Sequence, residues 1–199
     1  PSKAMPIKFG TDGWRAVIAD EFTFGNVRLC AQGTAALMKQ AGAASKGLLV
    51  GYDTRFASDD FAAAVAEVTA ANSIQTTLTE RPAPTPVLSH AIASGGFGGG
   101  VVITASHNPG RWNGYKYKMG YGGSATSEVT SQLEAHIARA EASGEVRRMP
   151  LAVAKIKGLV RTHDPQPDYL AHLAKLVDLE AIRRSGLRVV SDPMYGAGA

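Results

Sequence analysis

Two short apolar runs, GLLVGY at 47–52 and GVVIT at 100–104, constrain the fold of this chain more than any other feature. Runs this short and this free of polar residues suit strands covered on both faces, and such strands belong to sheets wrapped by helices. The segments around them carry helical spacing. Val27, Cys30, Thr34, Leu37 and Ala41 form one stripe behind a capping Thr23. Phe61, Val65 and Val68 form another behind Ser58-Asp59-Asp60, a helix start whose acids suit the positive end of the dipole. Residues 74–79 alternate as a further strand, and Pro82, Pro84 and Pro86 break the chain before a short helix at 87–93. Val129, Leu133, His136 and Ile137 mark one more helix, and Tyr169, Leu173, Leu176 and Val177 another. Residues 187–191 read as a final strand. Near the beginning, 7–9 runs into a turn at Thr11-Asp12-Gly13, and 14–18 reads as an extended partner. Strand and helix alternate throughout, which predicts a doubly wound α/β fold with a mostly parallel sheet. Loop chemistry then falls at the carboxyl ends of the strands.

Composition narrows the class. With 45% hydrophobic and 19% charged residues among 199, the chain can bury a core, which excludes general disorder. No apolar run approaches the roughly 20 residues of a membrane span, and no signal-peptide pattern opens the sequence. The lone Cys30 excludes a disulfide framework and a cysteine-rich metal site, and fits a reducing, cytoplasmic setting. Its place on an apolar stripe reads as a buried structural thiol. The net charge of +4 is concentrated in 139–161, where six Lys/Arg, among them Arg147, Arg148, Lys155, Lys157 and Arg161, meet two acids. No aromatic falls between Tyr121 and Tyr169, so the stretch reads as a solvated linker and not as a nucleic-acid surface. The first residue is proline, and residues 1–4 read as an addition ahead of a start at Met5.

Several glycine patterns fail as nucleotide sites. Gly42 and Gly47 have P-loop spacing, but Leu48 stands where the lysine is needed. Gly120, Gly122 and Ala125 fit G-x-G-x-x-A, yet the preceding 115–119 is polar and short for a central strand. The acid expected some 20 residues on would be Glu145, beyond the next helix. The informative stretch is Thr104-Ala105-Ser106-His107-Asn108-Pro109, followed by Asn113-Gly114-Tyr115-Lys116. Ser106 lies just past the carboxyl end of an apolar strand. Asn108-Pro109 forces a turn, and His107 can manage a proton or pair with an anion. Asn113-Gly114 turns again and can send Lys116 back towards Ser106. A serine, an imidazole and an ammonium ion around one loop could hold a phosphoryl group; the same spacing also suits a capped turn with solvated side chains.

The segments at 7–15 (IKFGTDGWR), 51–55 (GYDTR), 104–109 (TASHNP), 113–116 (NGYK) and 192–198 (DPMYGAG) occur in the order seen in the α-D-phosphohexomutases. The chain resembles that family, the phosphoglucomutases and phosphomannomutases, over nearly its whole length. The resemblance implies a three-layer α/β/α sandwich with a mixed, mostly parallel sheet over 1–145. It implies a basic linker and connecting helix over 146–184, and the truncated start of a second α/β domain over 185–199. The implied activity is that of an isomerase: intramolecular phosphoryl transfer between the 1- and 6-positions of a hexose phosphate, through a phosphoserine at Ser106 and a bisphosphorylated sugar. Lys116 and His107 become the proton-transfer candidates, Arg15 and Asn108 the substrate-binding ones, and Arg55 a brace. Magnesium would bridge the Ser106 phosphate and an aspartate-rich loop beyond Ala199, and a glucose 1,6-bisphosphate-type activator would load the serine. The expected partners are a hexose phosphate and further C-terminal domains of the same chain, with neither nucleic acid nor membrane. These 199 residues alone would be inactive. The stretch 115–125 resembles the glucose and mannose branches more than the glucosamine branch. Phosphoglucosamine mutase and a non-catalytic phosphate-binding module are the alternatives.

Overall fold

In the computed structural model, which describes residues 7–10 and 13–198, the strands form one sheet. They are β1 (Trp14–Val17), β2 (Leu48–Tyr52), β3 (Thr76–Thr79), β4 (Gly99–Ile103), β5 (Trp112–Met119) and β6 (Val160–His163). Their order is β1-β5-β4-β2-β3-β6. The pairs among β4, β2, β3 and β6 are parallel, and β5 is antiparallel to both β4 and β1, so β5 alone runs against the rest. The helices are α1 (Phe24–Gln40), α2 (Ser58–Ala71), α3 (Thr85–Ser94), α4 (Ser127–Ser143), α5 (Leu151–Ile156), α6 (Gln166–Leu176) and α7 (Leu179–Arg184). α1, α2, α4 and α5 cover one face of the sheet; α3 and α6 lie on the other. The chain therefore forms the expected α/β/α sandwich with a mixed sheet.

Burial on both faces explains the apolar runs. Val50, Val101 and Ile103 pack under α1 and α2, while Leu49 and Val102 point the other way, onto Val87, Leu88 and Ile92. Each such side chain contributes about 1.5–3 kcal/mol on burial. α1 starts where Thr23 Oγ1 accepts from the Asn26 amide at 3.2 Å, and Val27, Cys30, Thr34 and Leu37 are buried along it. Ala41 ends the stripe as an exposed cap. Thr34 tolerates its buried place because its hydroxyl lies 2.8 Å from the Tyr115 hydroxyl. α2 begins differently from the sequence reading. Its cap is Ala57, in a left-handed conformation, and Ser58 turns its hydroxyl to Asp53 at 2.9 Å instead.

The structure corrects three further expectations. The polar look of 115–119 argued against a central strand, yet β5 is eight residues long and sits between β1 and β4. The stretch read as a basic linker docks on the domain: α5 packs on α2, β6 extends the sheet beside β3, and Ala154 and Val160 are buried. Its basic side chains stay exposed, and Arg148 Nε sits 2.7 Å from Glu67 Oε2. No strand forms over 187–191, where Leu187, Val189 and Val190 are exposed. A strand needs a partner for its N–H and C=O groups, and propensity alone does not supply one. The turn at Thr11-Asp12-Gly13 falls at 11 and 12 outside the described residues, as do residues 1–4. Among the described residues, no helix is long and apolar enough to cross a membrane.

Cys30 is fully buried on α1, and burial pushes its thiol far above the usual range. A thiol reagent at mildly alkaline pH is expected to leave the native protein unlabelled and to modify it only after denaturant is added. Prompt labelling of the native protein would contradict this packing.

Candidate active site

β2 and β4 are neighbours, but their outgoing connections diverge. The chain leaves β2 for α2 on one face, whereas it leaves β4 towards β5 in the opposite lateral direction. Such divergence opens a crevice at the carboxyl ends of parallel strands. Here the loops after β2 and β4 line a cleft of about 640 Å³. The β4 loop carries TASHNP. Thr104 and Ala105 remain buried, and Ser106 and His107 emerge into solvent. A turn closes where the Asn108 amide donates to the Ala105 carbonyl at 3.1 Å, with Ser106 held at φ +59°. Thr104 Oγ1 accepts from the Ser106 amide at 3.0 Å. The turn thus centres on Ser106 and His107, just ahead of Asn108-Pro109, and Pro109 opens a second turn that the Trp112 amide closes at 2.9 Å. A left-handed serine is strained by about 1 kcal/mol or more and persists only where its surroundings fix it.

Arg55 does the fixing. Its Nη2 donates to the carbonyls of Ser106 at 2.9 Å and Asn108 at 2.6 Å, and its Nη1 to those of Pro109 and Trp112, each at 3.0 Å. Nε lies 3.3 Å from Asp53 Oδ2. Asp53 also accepts from the Ser58 hydroxyl, which accepts in turn from Asn113 Nδ2 at 2.9 Å. The guanidinium is spent on loop backbone, so Arg55 braces the turn. An ammonium cannot span four carbonyls. Arg55→Lys is therefore expected to cost about 2–4 kcal/mol of stability in urea unfolding, since hydrogen bonds to charged groups are worth about 1.5–3 kcal/mol each. A loss below about 0.5 kcal/mol, the scale of ordinary surface substitutions, would mean the brace is dispensable.

Four of the candidate residues meet directly. Ser106 Oγ and His107 Nδ1 are 3.2 Å apart, and Arg15 Nη1 donates to Asn108 Oδ1 at 2.8 Å. Asn108 is therefore tied to Arg15 across the loop. Lys116 comes from the sheet. It lies on β5 opposite Val102, with 5% of its surface exposed. Asn113-Gly114 is not the turn its sequence suggests; both residues are buried inside β5. Glycine is needed at 114 because a Cβ there would stand 2.5 Å from the Thr104 carbonyl oxygen and 3.0 Å from that of Trp14. Gly13 lies on the stem of Lys116, where a Cβ would come within 3.0 Å of its Cα and Cγ. The segment 13–15, TASHNP and NGYK thus converge at one end of the sheet. Sequence reasoning missed Thr54, whose hydroxyl donates to the Tyr195 carbonyl at 2.8 Å, and the tail from Met194 to Gly198 that lines the cleft. The signals for these were the GYDTR and DPMYGAG segments themselves, neither of which assigned them a role.

Among the described residues, no group of three His, Cys, Asp or Glu side chains could hold a metal ion. Asp53, the acid of the cleft, is committed to Arg55 and Ser58. The donors described do not make a magnesium site on their own; the side chains gathered around Ser106 suit an anion. The Gly120–Ala125 pattern forms a turn, with the Met119 amide donating to the Gly123 carbonyl at 2.9 Å. Because β5 runs antiparallel, no strand–helix–strand unit for a dinucleotide stands there.

Residues 6–144 match the family described as phosphoglucomutase/phosphomannomutase, alpha/beta/alpha domain I. A phosphoglucomutase of Komagataeibacter xylinus is 34% identical over an alignment that takes in 96% of this chain and 36% of the relative. A phosphoglucosamine/phosphogalactosamine mutase of Sulfurisphaera tokodaii is 30% identical, again over 96% of this chain and 40% of the relative. The chain thus spans less than half the length of these curated relatives. A solved structure from Thermus thermophilus, assigned as a phosphomannomutase, matches with a TM-score of 0.78 at 34% identity, over 90% of this chain and 38% of that one.

Proposed function

Because the chain belongs to the phosphoglucomutase/phosphomannomutase family through its α/β/α domain I, we propose that it serves hexose phosphate isomerisation, with Ser106 as the residue that carries the phosphoryl group. One observation supports this most: an exposed serine, held left-handed at the carboxyl end of a central strand, with an imidazole nitrogen 3.2 Å from its hydroxyl. In the forward step a sugar hydroxyl oxygen attacks phosphorus and gives up its proton, while the bond to Ser106 Oγ breaks and Oγ takes a proton. The bisphosphorylated sugar reorients. Ser106 Oγ then attacks its other phosphate, loses its proton and frees a sugar oxygen, which is protonated. His107 Nδ1 is placed to hold the Oγ proton in both directions.

Charge supports the same reading. Phosphoserine carries about −1.5 to −2 charges at neutral pH. Around it stand His107, Arg15 through Asn108, and the Arg55 guanidinium against the Ser106 carbonyl. Lys116 is the further cation, proposed to stabilise the transferring oxygens. The relatives are named for glucose, mannose and amino-sugar phosphates. Glucose or mannose phosphate is the substrate proposed here, in a cytoplasmic setting.

Mass spectrometry after incubation with glucose 1,6-bisphosphate tests the assignment. The phosphate is expected on Ser106; finding it on Ser124 or Thr104 with Ser106 unmodified would refute it. Coupled assays of the full-length protein with glucose, mannose and glucosamine phosphates then rank the sugars, and a clear preference for glucosamine phosphate would displace the substrate proposed.

A further inference from the structure

A second cleft, of about 510 Å³, lies on the α3 face of the sheet between α3, β3, β6 and α6. It shares no lining residue with the Ser106 cleft: α3 turns Thr85 towards the one and His90 and Ser94 towards the other. On its floor Thr77 of β3 and Arg161 of β6 are register neighbours, and Arg161 Nε donates to Thr77 Oγ1 at 3.2 Å. That is the only hydrogen bond of the Arg161 side chain among the described residues, which leaves its terminal amino groups for another acceptor. His163 follows on the same face of β6, with Nε2 3.8 Å from Asp168 Oδ2. On the wall, His90 is held between Tyr169, edge-on at 5.6 Å, and His172 at 4.6 Å. Its Nδ1 is buried and has no hydrogen-bond partner among the described residues.

Native structures leave few buried polar atoms unsatisfied, and each one calls for a partner. Here one of them, on His90, belongs to a residue that lines a cavity of small-molecule size beside an arginine fork. No three ligands come together for a metal ion among the described residues. We propose that this cleft binds a small hydroxylated organic anion: its phosphate or carboxylate on the Arg161 amino groups, a hydroxyl on the His90 ring, and its apolar edge against Phe97, which also lines the cleft. The site is separate from the Ser106 cleft and would let a small metabolite act on the same protein away from the reacting serine.

Titrating the isotope-labelled protein with citrate, glucose 6-phosphate and inorganic phosphate tests this by NMR, read at the Arg161 Nε and the His90 and His163 ring resonances. At least one organic anion is expected to shift these signals saturably. Its affinity should fall tenfold or more in Arg161→Gln and in His90→Phe, which keeps the ring packing, and stay unchanged in Ser106→Ala. The proposal is overturned if neither organic anion gives saturable shifts, if they persist undiminished in Arg161→Gln, or if inorganic phosphate binds as tightly as both organic anions.

Discussion

In the full-length protein, Ser106→Ala is expected to abolish phosphoryl uptake and to lower turnover by roughly 10⁴–10⁶-fold, the scale on which enzymes lose rate when an activated nucleophile is removed. Stability should hardly change. The hydroxyl is exposed, the Asn108 amide still closes the turn on the Ala105 carbonyl, and Arg55 still holds the backbone carbonyls. Ser106→Gly sharpens the test. Glycine adopts φ near +59° without penalty, so this variant should gain stability, by about 0.5–1 kcal/mol, while losing activity equally. Strain kept at a position where glycine would relieve it is strain tolerated for chemistry. Phosphoryl transfer from radiolabelled glucose 1,6-bisphosphate and a thermal melt read both halves. Turnover of Ser106→Ala within about tenfold of the parent, one decade or 1.4 kcal/mol of barrier, would return Ser106 to the status of a turn residue.

What could be read from the sequence was what repeats. The strands at β2 and β4 and the stripes of α1 and α2 are periodic signals imposed by burial, so they survive without knowledge of the neighbours. β5 was lost because polarity counted against it. Lys116 and Lys118 alternate there with Tyr115 and Tyr117, and a hydropathy reading treats a lysine as solvated. In the fold Lys118 Nζ finds Ser124 Oγ at 3.3 Å, and Gly13 covers the stem of Lys116, so both lysines are buried residues of a central strand. β6 was lost for a different reason. Of its four residues only Val160 is buried, and nothing local distinguishes it from a loop; its pairing with β3 is a tertiary decision.

The site divides in the same way. Ser106, His107 and Asn108 are contiguous, so their chemistry could be read from one loop. Arg15 reaches Asn108 from 93 positions away, and only family resemblance had placed it there. The resemblance gave Arg55 as a brace, but what it braces had no readable signature, because its acceptors are main-chain carbonyls and any sequence offers those. The reversed direction of β5 matters most. It brings Trp112 to the same end of the sheet as Ser106, which lets the loop close on itself around one guanidinium.

Lys116 is the residue whose burial most needs a purpose. A lysine on a central strand gives up hydration that an apolar residue would not need, and structural packing alone would favour Val or Ile in its place. Its stem lies under Gly13 and beside Val102, in the segment that also carries Arg15. A buried lysine near a reacting loop serves best when charge moves, so its effect belongs in the transition state. Lys116→Met keeps the buried volume while removing the charge. In the full-length protein it is expected to lower kcat by about 10²–10⁴-fold, the usual worth of general acid–base help, with a smaller change in KM. A thermal melt separates this from a folding defect, because a purely structural lysine would lower Tm and leave the turnover of the folded fraction intact. If kcat per folded molecule falls by less than about tenfold on the same scale, the ammonium serves only to pin the segment before β1 against β5.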